Sequence, residues 1–194
     1  MLRISITFIA LSIVFFGCNG SPKDSKAKAD STNNFYDSLN NKKGGRGTRA
    51  LSGPDADFAV EAANGSLLEV ELGKLAQRKS GNAEIKAFGA MMEKDHMQAG
   101  NELEAIAKQK RMALPSSPGG EEHKTMEELN AKSVSEFDKS YVNAMVKDHE
   151  SDMKKFTNGR KLVHYPEMTK FIDKTLPILK MHYEAALRLQ QKFR

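Results

Sequence analysis

Three histidines, each with a lysine two residues before it, are the side chains of this chain best suited to bind or move charge. They stand in Lys94-Asp95-His96, Lys147-Asp148-His149 and Lys180-Met181-His182. Near neutral pH an imidazole can offer a lone pair to a metal or accept a proton. Three of them meeting at one point would therefore make a cation site, a proton-responsive centre or a buried polar network. Residues seven apart on a helix keep nearly the same azimuth. Seven after each histidine stands an apolar residue (Leu103, Phe156, Leu189), and seven before stand Gly89, Val142 and Thr175. All three imidazoles are thus expected inward or at the margin of a core, with Lys94, Lys147 and Lys180 facing solvent.

A fourth candidate comes from the one amphipathic segment without such a histidine. Glu69 lies on the inward line between Ala62 and Ala76, with Gly65, Ser66 and Gly73 nearby. A carboxylate on a stripe of small residues is costly to bury without a proton, a donor or a cation. Counted from the turns at ~1.5 Å per residue, Glu69 and His96 differ in height by less than one helical turn. His149 and His182 bracket the second turn at comparable distances, so one layer can hold all four. Imidazole nitrogen with carboxylate oxygen suits zinc, iron, nickel or divalent copper. Glu93, three residues before His96, adds a Glu-x-x-His arrangement like that of carboxylate-bridged metal bundles. Val146 and Leu179 stand where the other two histidines would need the same glutamate, which argues against a full di-iron site. Asp95 and Asp148 point about 100° away from their histidines and are expected to cap the layer or bond lysines. Met91, Met92, Met145, Met153 and Met181 could suggest thioether-bound copper, but at helical spacing they read as packing residues. Two readings stay open: a divalent metal held by Glu69, His96, His149, His182 and Glu93, or a self-satisfied polar network that fixes helix register.

The elements that would position these residues are helices. Apolar residues at spacings of three and four predict one from Asp55, through Phe58, Ala62, Leu72 and Ala76, to a stop at Gly81-Asn82. A second runs from about Ala83 to Met112, before Leu114-Pro115 and the loop 116–120. A short polar helix covers Glu121 to Lys132. A long one spans roughly Ser135 to Asn158, and a last one begins near Pro166, with Pro177 inside it. Alternating β-branched stretches are absent. The expectation is an all-α antiparallel four-helix bundle, with the short helix in the crossover between two hairpins. A faint internal repeat supports two related hairpins. Aligning His96 with His149 also pairs Phe88 with Tyr141, Met92 with Met145 and Leu103 with Phe156.

The remaining sequence speaks to location. Residues 1–17 read as an export signal, with Arg3 before an apolar run too short to cross a bilayer. It ends Gly17-Cys18, and Cys18 is the chain's one cysteine. A small residue directly before cysteine at this place resembles the bacterial lipobox, in which the cysteine is lipidated and becomes the anchor. Asn19 after it points, by resemblance to bacterial sorting rules, to the outer membrane, facing the periplasm or the cell surface. Residues 18–54, rich in Ser, Asn, Gly and Lys, are expected to be a flexible basic tether. Between residues 19 and 54 there are seven basic and three acidic residues, whereas from Asp55 onward 22 basic residues balance 22 acidic ones. A neutral body without Trp or a basic face is a poor nucleic-acid binder.

The chain resembles the DUF4142 family of bacterial envelope proteins over about Asp55 to Gln190. The likeness rests on Asp57-Phe58, Glu69-Val70-Glu71-Leu72-Gly73-Lys74-Leu75-Ala76, Met92-Glu93-Lys94-Asp95-His96, Leu114-Pro115, Phe137-Asp138-x-x-Tyr141-Val142, Asp148-His149-Glu150 and Leu176-Pro177-x-x-x-x-His182. The resemblance implies a ferritin-like helical bundle, in agreement with the periodicity, and assigns no molecular function. The combined expectation is a lipid-anchored envelope protein with an inward Glu/His layer, in a binding or stress-buffering role. Its alternative is a structural or partner-binding lipoprotein without a ligand.

Overall fold

The computed structural model describes residues 25–42 and 53–193. Six helices occur among them and no strand: α1 (Ser25–Lys42), α2 (Pro54–Lys79), α3 (Ala83–Lys110), α4 (Gly120–Ala131), α5 (Val134–Leu162) and α6 (Pro166–Lys192). The five helices expected from the periodicity are present, with shifts of a few residues at their ends. Their termini follow from local chemistry. The Asn82 side chain accepts the backbone N–H groups of Glu84 and Ile85 to start α3, and Ser133 with Glu136 forms a capping box at the start of α5. Both arrangements satisfy donors that a helix start otherwise leaves open. Pro54 and Pro166 occupy first-turn positions, where a missing N–H is harmless. Arg111, at φ 56°, ends α3 in the left-handed conformation.

Helix α2 packs against α3 and α5, and α6 packs against α5 and α3. Each of these neighbours runs antiparallel. Along α3 and α6 the pairs Glu84–Lys192, Asp95–His182, Glu102–Lys174 and Lys110–Glu167 advance on one helix as they retreat on the other. The apolar side chains gather in two clusters. One joins Phe58, Leu103, Ile106, Phe156, Met168, Phe171 and Leu179. The other joins Leu72, Ile85, Phe88, Met92, Tyr141, Met145 and Leu189. Phe88 meets Tyr141 edge-on with ring centroids 6.2 Å apart, so the pair that the internal repeat aligns is also a contact. Between the two clusters lie the histidines and Glu69.

Three bidentate side chains fasten the connections. Asn64 accepts from Gly119 N (2.8 Å) and donates to Gly119 O (3.4 Å), tying the crossover to α2. Asp55 accepts the backbone N–H groups of His164 and Tyr165, closing the turn between α5 and α6 onto the start of α2. Asn33 accepts from Ala113 N (2.8 Å) and donates to Ala113 O (3.0 Å).

The last of these corrects the reading of residues 18–54 as a flexible tether: residues 25–42 within it form α1. Ala29 and Asn33, one turn apart, are buried, and Lys26 pairs with Glu61 of α2 at 2.8 Å. Composition missed this helix because polar long-range bonds hold it instead of an apolar stripe. The signal, Cys18 and residues 19–24 and 43–52 of the tether lie outside the described residues. No described helix is long and apolar enough to cross a membrane.

Where α2 and α3 cross, Gly73 faces Gly89. A Cβ on Gly89 would lie 2.7 Å from the Gly73 carbonyl oxygen and 2.9 Å from Ala76 Cβ. This backbone-to-backbone approach fixes the spacing that brings Glu69, one turn away, to the imidazole of His96. Gly89→Ala should therefore lower the urea midpoint, because about 1–3 kcal/mol of overpacking outweighs the up to ~1 kcal/mol gained in helix propensity. Gly81→Ala, with nothing within 4 Å of its new Cβ, is the control and should leave the midpoint near wild type. A midpoint for Gly89→Ala at or above wild type would contradict the assigned role of this crossing.

Candidate functional site: a buried histidine and carboxylate layer

One buried layer collects Glu69 from α2, His96 from α3, His149 from α5 and His182 from α6. Glu69, His149 and His182 have no exposed surface, and His96 retains 5%. The imidazole centroids are 5.3 to 5.8 Å apart. One ring nitrogen from each histidine lies within 4.8 Å of one from each of the others. The inward placement read from the heptad spacing therefore holds for all four residues, and Lys94, Lys147 and Lys180 are exposed.

Two of the three histidines are held by a hydrogen bond to an oxygen at one nitrogen. His149 Nδ1 is 2.9 Å from the Met145 carbonyl. A carbonyl only accepts, so Nδ1 carries the hydrogen and the neutral ring keeps its lone pair on Nε2. His182 donates from Nε2 to Asp95 Oδ2 at 2.9 Å, which leaves the lone pair on Nδ1. His96 Nδ1 is 2.9 Å from Glu69 Oε2, an ion-pair distance without hydrogen-bond alignment. The opposite nitrogens, His96 Nε2, His149 Nε2 and His182 Nδ1, are buried and have no hydrogen-bond partner. Imidazoles fixed at one nitrogen by a carboxylate or carbonyl and open at the other are the arrangement that orients metal-ligating histidines.

Burial governs the protonation of the layer. It pushes the Glu69 carboxyl up to about 8, with His149 partly opposing and Asp152 adding to the rise. It lowers His96 to about 4 despite the carboxylates of Asp152 and Asp95. His149 and His182 also shift down, burial outweighing Glu69 beside the first and Asp95 beside the second. The imidazoles are thus neutral bases at pH 7. Glu69 Oε1 meets His149 Nε2 at 3.2 Å, and a carboxylate oxygen facing an imidazole lone pair needs a proton or a cation between them.

Glu93 does not join the layer. It accepts from Gln77 Nε2 at 2.6 Å, so the Glu-x-x-His spacing serves the α2–α3 contact. Asp95, expected only to cap the layer or bond a lysine, instead bonds His182 of α6. Asp148 and Asp152 form a second group with Glu69, their carboxylate oxygens within 4.8 Å of one another. Asp152 was legible: Met145, His149, Asp152 and Phe156 continue one stripe at spacings of four, three and four. The role of Asp95 depends on the packing of α3 against α6 and has no local signal. Met92 and Met145 pack in the apolar cluster, and Met145 offers its carbonyl, not its sulfur, to the layer.

A cavity of about 10 Å³ is lined by Ser66, Glu69, His96, Asp152 and Thr175 among apolar neighbours, enough for roughly one water or ion. A surface groove of about 670 Å³ along α2 and α3 reaches Ser66 and His96, which also line the inner cavity.

Fold and site together define a helical protein with an internal histidine and carboxylate layer between two apolar clusters. The chain belongs to the family described as a domain of unknown function, DUF4142, whose model matches residues 40–189. Comparisons with curated proteins and with solved structures give no match.

The protonation pattern sets a pH signature for metal-free protein. Glu69 is raised in the folded state, so the unfolded chain releases its proton first, and stability falls as pH rises from 4.5 through about 8. His96 is depressed, so its contribution is present above 6.5 and is lost as pH falls through about 4. Above pH 6.5 the carboxyl limb dominates, with Asp148 adding the same sign. In chelator-treated protein the melting temperature should drop between pH 6.5 and 8.5, and Glu69→Gln should make that limb shallower. Equal slopes for variant and wild type would refute the assignment.

Proposed function

We propose that the protein is a lipid-anchored envelope protein whose ferritin-like, antiparallel four-helix bundle binds a divalent transition metal. The ligands are His96, His149 and His182, with Glu69 as the fourth, and the role is binding or stress buffering. The observation that carries this reading is the set of three buried imidazole nitrogens without hydrogen-bond partners, with the His149 and His182 rings anchored by hydrogen bonds at their other nitrogens. Buried polar atoms left unsatisfied require an explanation, and one cation answers all three. Three imidazoles and a carboxylate suit zinc, iron or divalent copper. The bundle assignment is supported by α2 packing on α3 and α5, α6 packing on α5 and α3, and a long crossover through α4 that joins two helices of the same direction. Glu69 favours a second reading: once protonated it can donate to His149 Nε2, giving a structural or partner-binding lipoprotein with a partly self-satisfied layer.

The experiment is metal analysis of untagged protein purified without chelator. The wild type should retain about one equivalent of divalent metal per chain, and the His96→Ala/His149→Ala variant should lose it. Metal-free protein whose melting temperature is unmoved by zinc, iron or copper decides for the second reading. The anchor proposed from Gly17-Cys18 is tested by Cys18→Ser, which should release the protein from membranes. Undiminished membrane association of that variant would rule out lipidation as the anchor.

A further inference from the structure

On the α5 side of Glu69 lies a group that contains no imidazole. Asp148 and Asp152, one turn apart on the same face of α5, bring carboxylate oxygens within 4.8 Å of one another and of Glu69. Gly65 of α2 lies directly beside this group: a Cβ there would be in ordinary contact with Asp152 Oδ2 at 3.4 Å. Lys155 donates to Asp152 Oδ1 at 3.1 Å and neutralises one of the three charges. No N–H or O–H donor of another residue type reaches the two oxygens of the fully buried Glu69 or Oδ2 of Asp148, and the Asp148 and Glu69 carboxyls lie within hydrogen-bonding reach of each other, where only a shared proton or a cation can bridge them. The cavity of about 10 Å³ opens onto Glu69 and Asp152, with the Ser66 and Thr175 side chains also in its wall.

We propose that Glu69, Asp148 and Asp152 form a second cation subsite, made of oxygen ligands, that takes a hard divalent ion of the manganese, magnesium or calcium class. Carboxylate and water oxygens select such ions, whereas the imidazoles on the other side of Glu69 select softer ones. Two carboxylates beyond the one offset by Lys155 match the charge of one divalent ion. A buried charge cluster is stable only when it is compensated in this way. Asp152 Oδ2, Asp148 Oδ2 and one oxygen of Glu69 supply one oxygen from each carboxylate, and water completes the coordination shell through the cavity. Glu69 is shared with the histidine site, but the subsite needs no imidazole and stands or falls independently of the metal reading above.

The test uses full-length protein in detergent and Mn2+ as the probe, with free Mn2+ followed by its six-line electron paramagnetic resonance signal. His96→Ala/His149→Ala should still bind one equivalent. Asp148→Asn/Asp152→Asn should bind Mn2+ at least tenfold more weakly while keeping the far-ultraviolet circular dichroism of the wild type. Should either variant fail to fold by circular dichroism, the wild type gives the answer: it should take up Mn2+ at a site without imidazole-nitrogen coupling in the electron spin echo. No Mn2+ uptake by wild type, or imidazole-nitrogen coupling to all of the bound Mn2+, overturns the proposal. Equal Mn2+ affinity in the folded aspartate variant and the wild type overturns it as well.

Discussion

The rest of the structure depends on one costly placement, a glutamate with no exposed surface set between two apolar clusters. Transfer of an ionised carboxylate from water into such surroundings is unfavourable by many kcal/mol unless a proton, a donor or a cation compensates. Several groups around Glu69 answer to that cost. The imidazoles of His96 and His149 approach its two oxygens, Asp95 and the Met145 carbonyl fix the outer two rings, and Lys155 offsets the nearest extra carboxylate. With Glu69 ionised the layer is short of positive charge and of donors, and that deficit is the physical reason to assign it a cation.

Holding such a layer requires helices that cannot slide. The Gly73–Gly89 crossing brings two backbones into contact, so the register of α2 on α3 is set by hard-sphere packing within two turns of His96. The bidentate side chains of Asn64 and Asp55 tie the crossover and the α5–α6 turn to α2, the helix that carries Glu69. Phe58 against Phe156, with ring centroids 5.0 Å apart, packs one end, and Phe137 stacked on Tyr141 at 5.5 Å packs the other. Residue choices far from the layer thus determine distances inside it.

Much of this was legible in the sequence because it follows from helical period. Heptad spacing sufficed to place His96, His149 and His182 inward, and Glu69 stood out as a charge on a stripe of small residues. The same logic extends to Asp152, which continues the stripe of Met145 and His149. What period cannot encode is which neighbouring helix a side chain meets. Asp95 bonds a histidine 87 positions away, and Glu93 turns to Gln77 although its spacing imitates a metal motif. Helix α1 was hidden for a related reason, since its docking depends on Asn33 finding the backbone of Ala113 and not on apolar content.

The central claim is that three imidazole lone pairs converge on one cation, and X-ray absorption at the edge of the retained metal tests it most directly. The account predicts a first shell with three nitrogens at ~2.0–2.1 Å and the outer-shell scattering of imidazole rings, completed by a carboxylate oxygen. A shell of oxygens alone, without imidazole scattering, would contradict it.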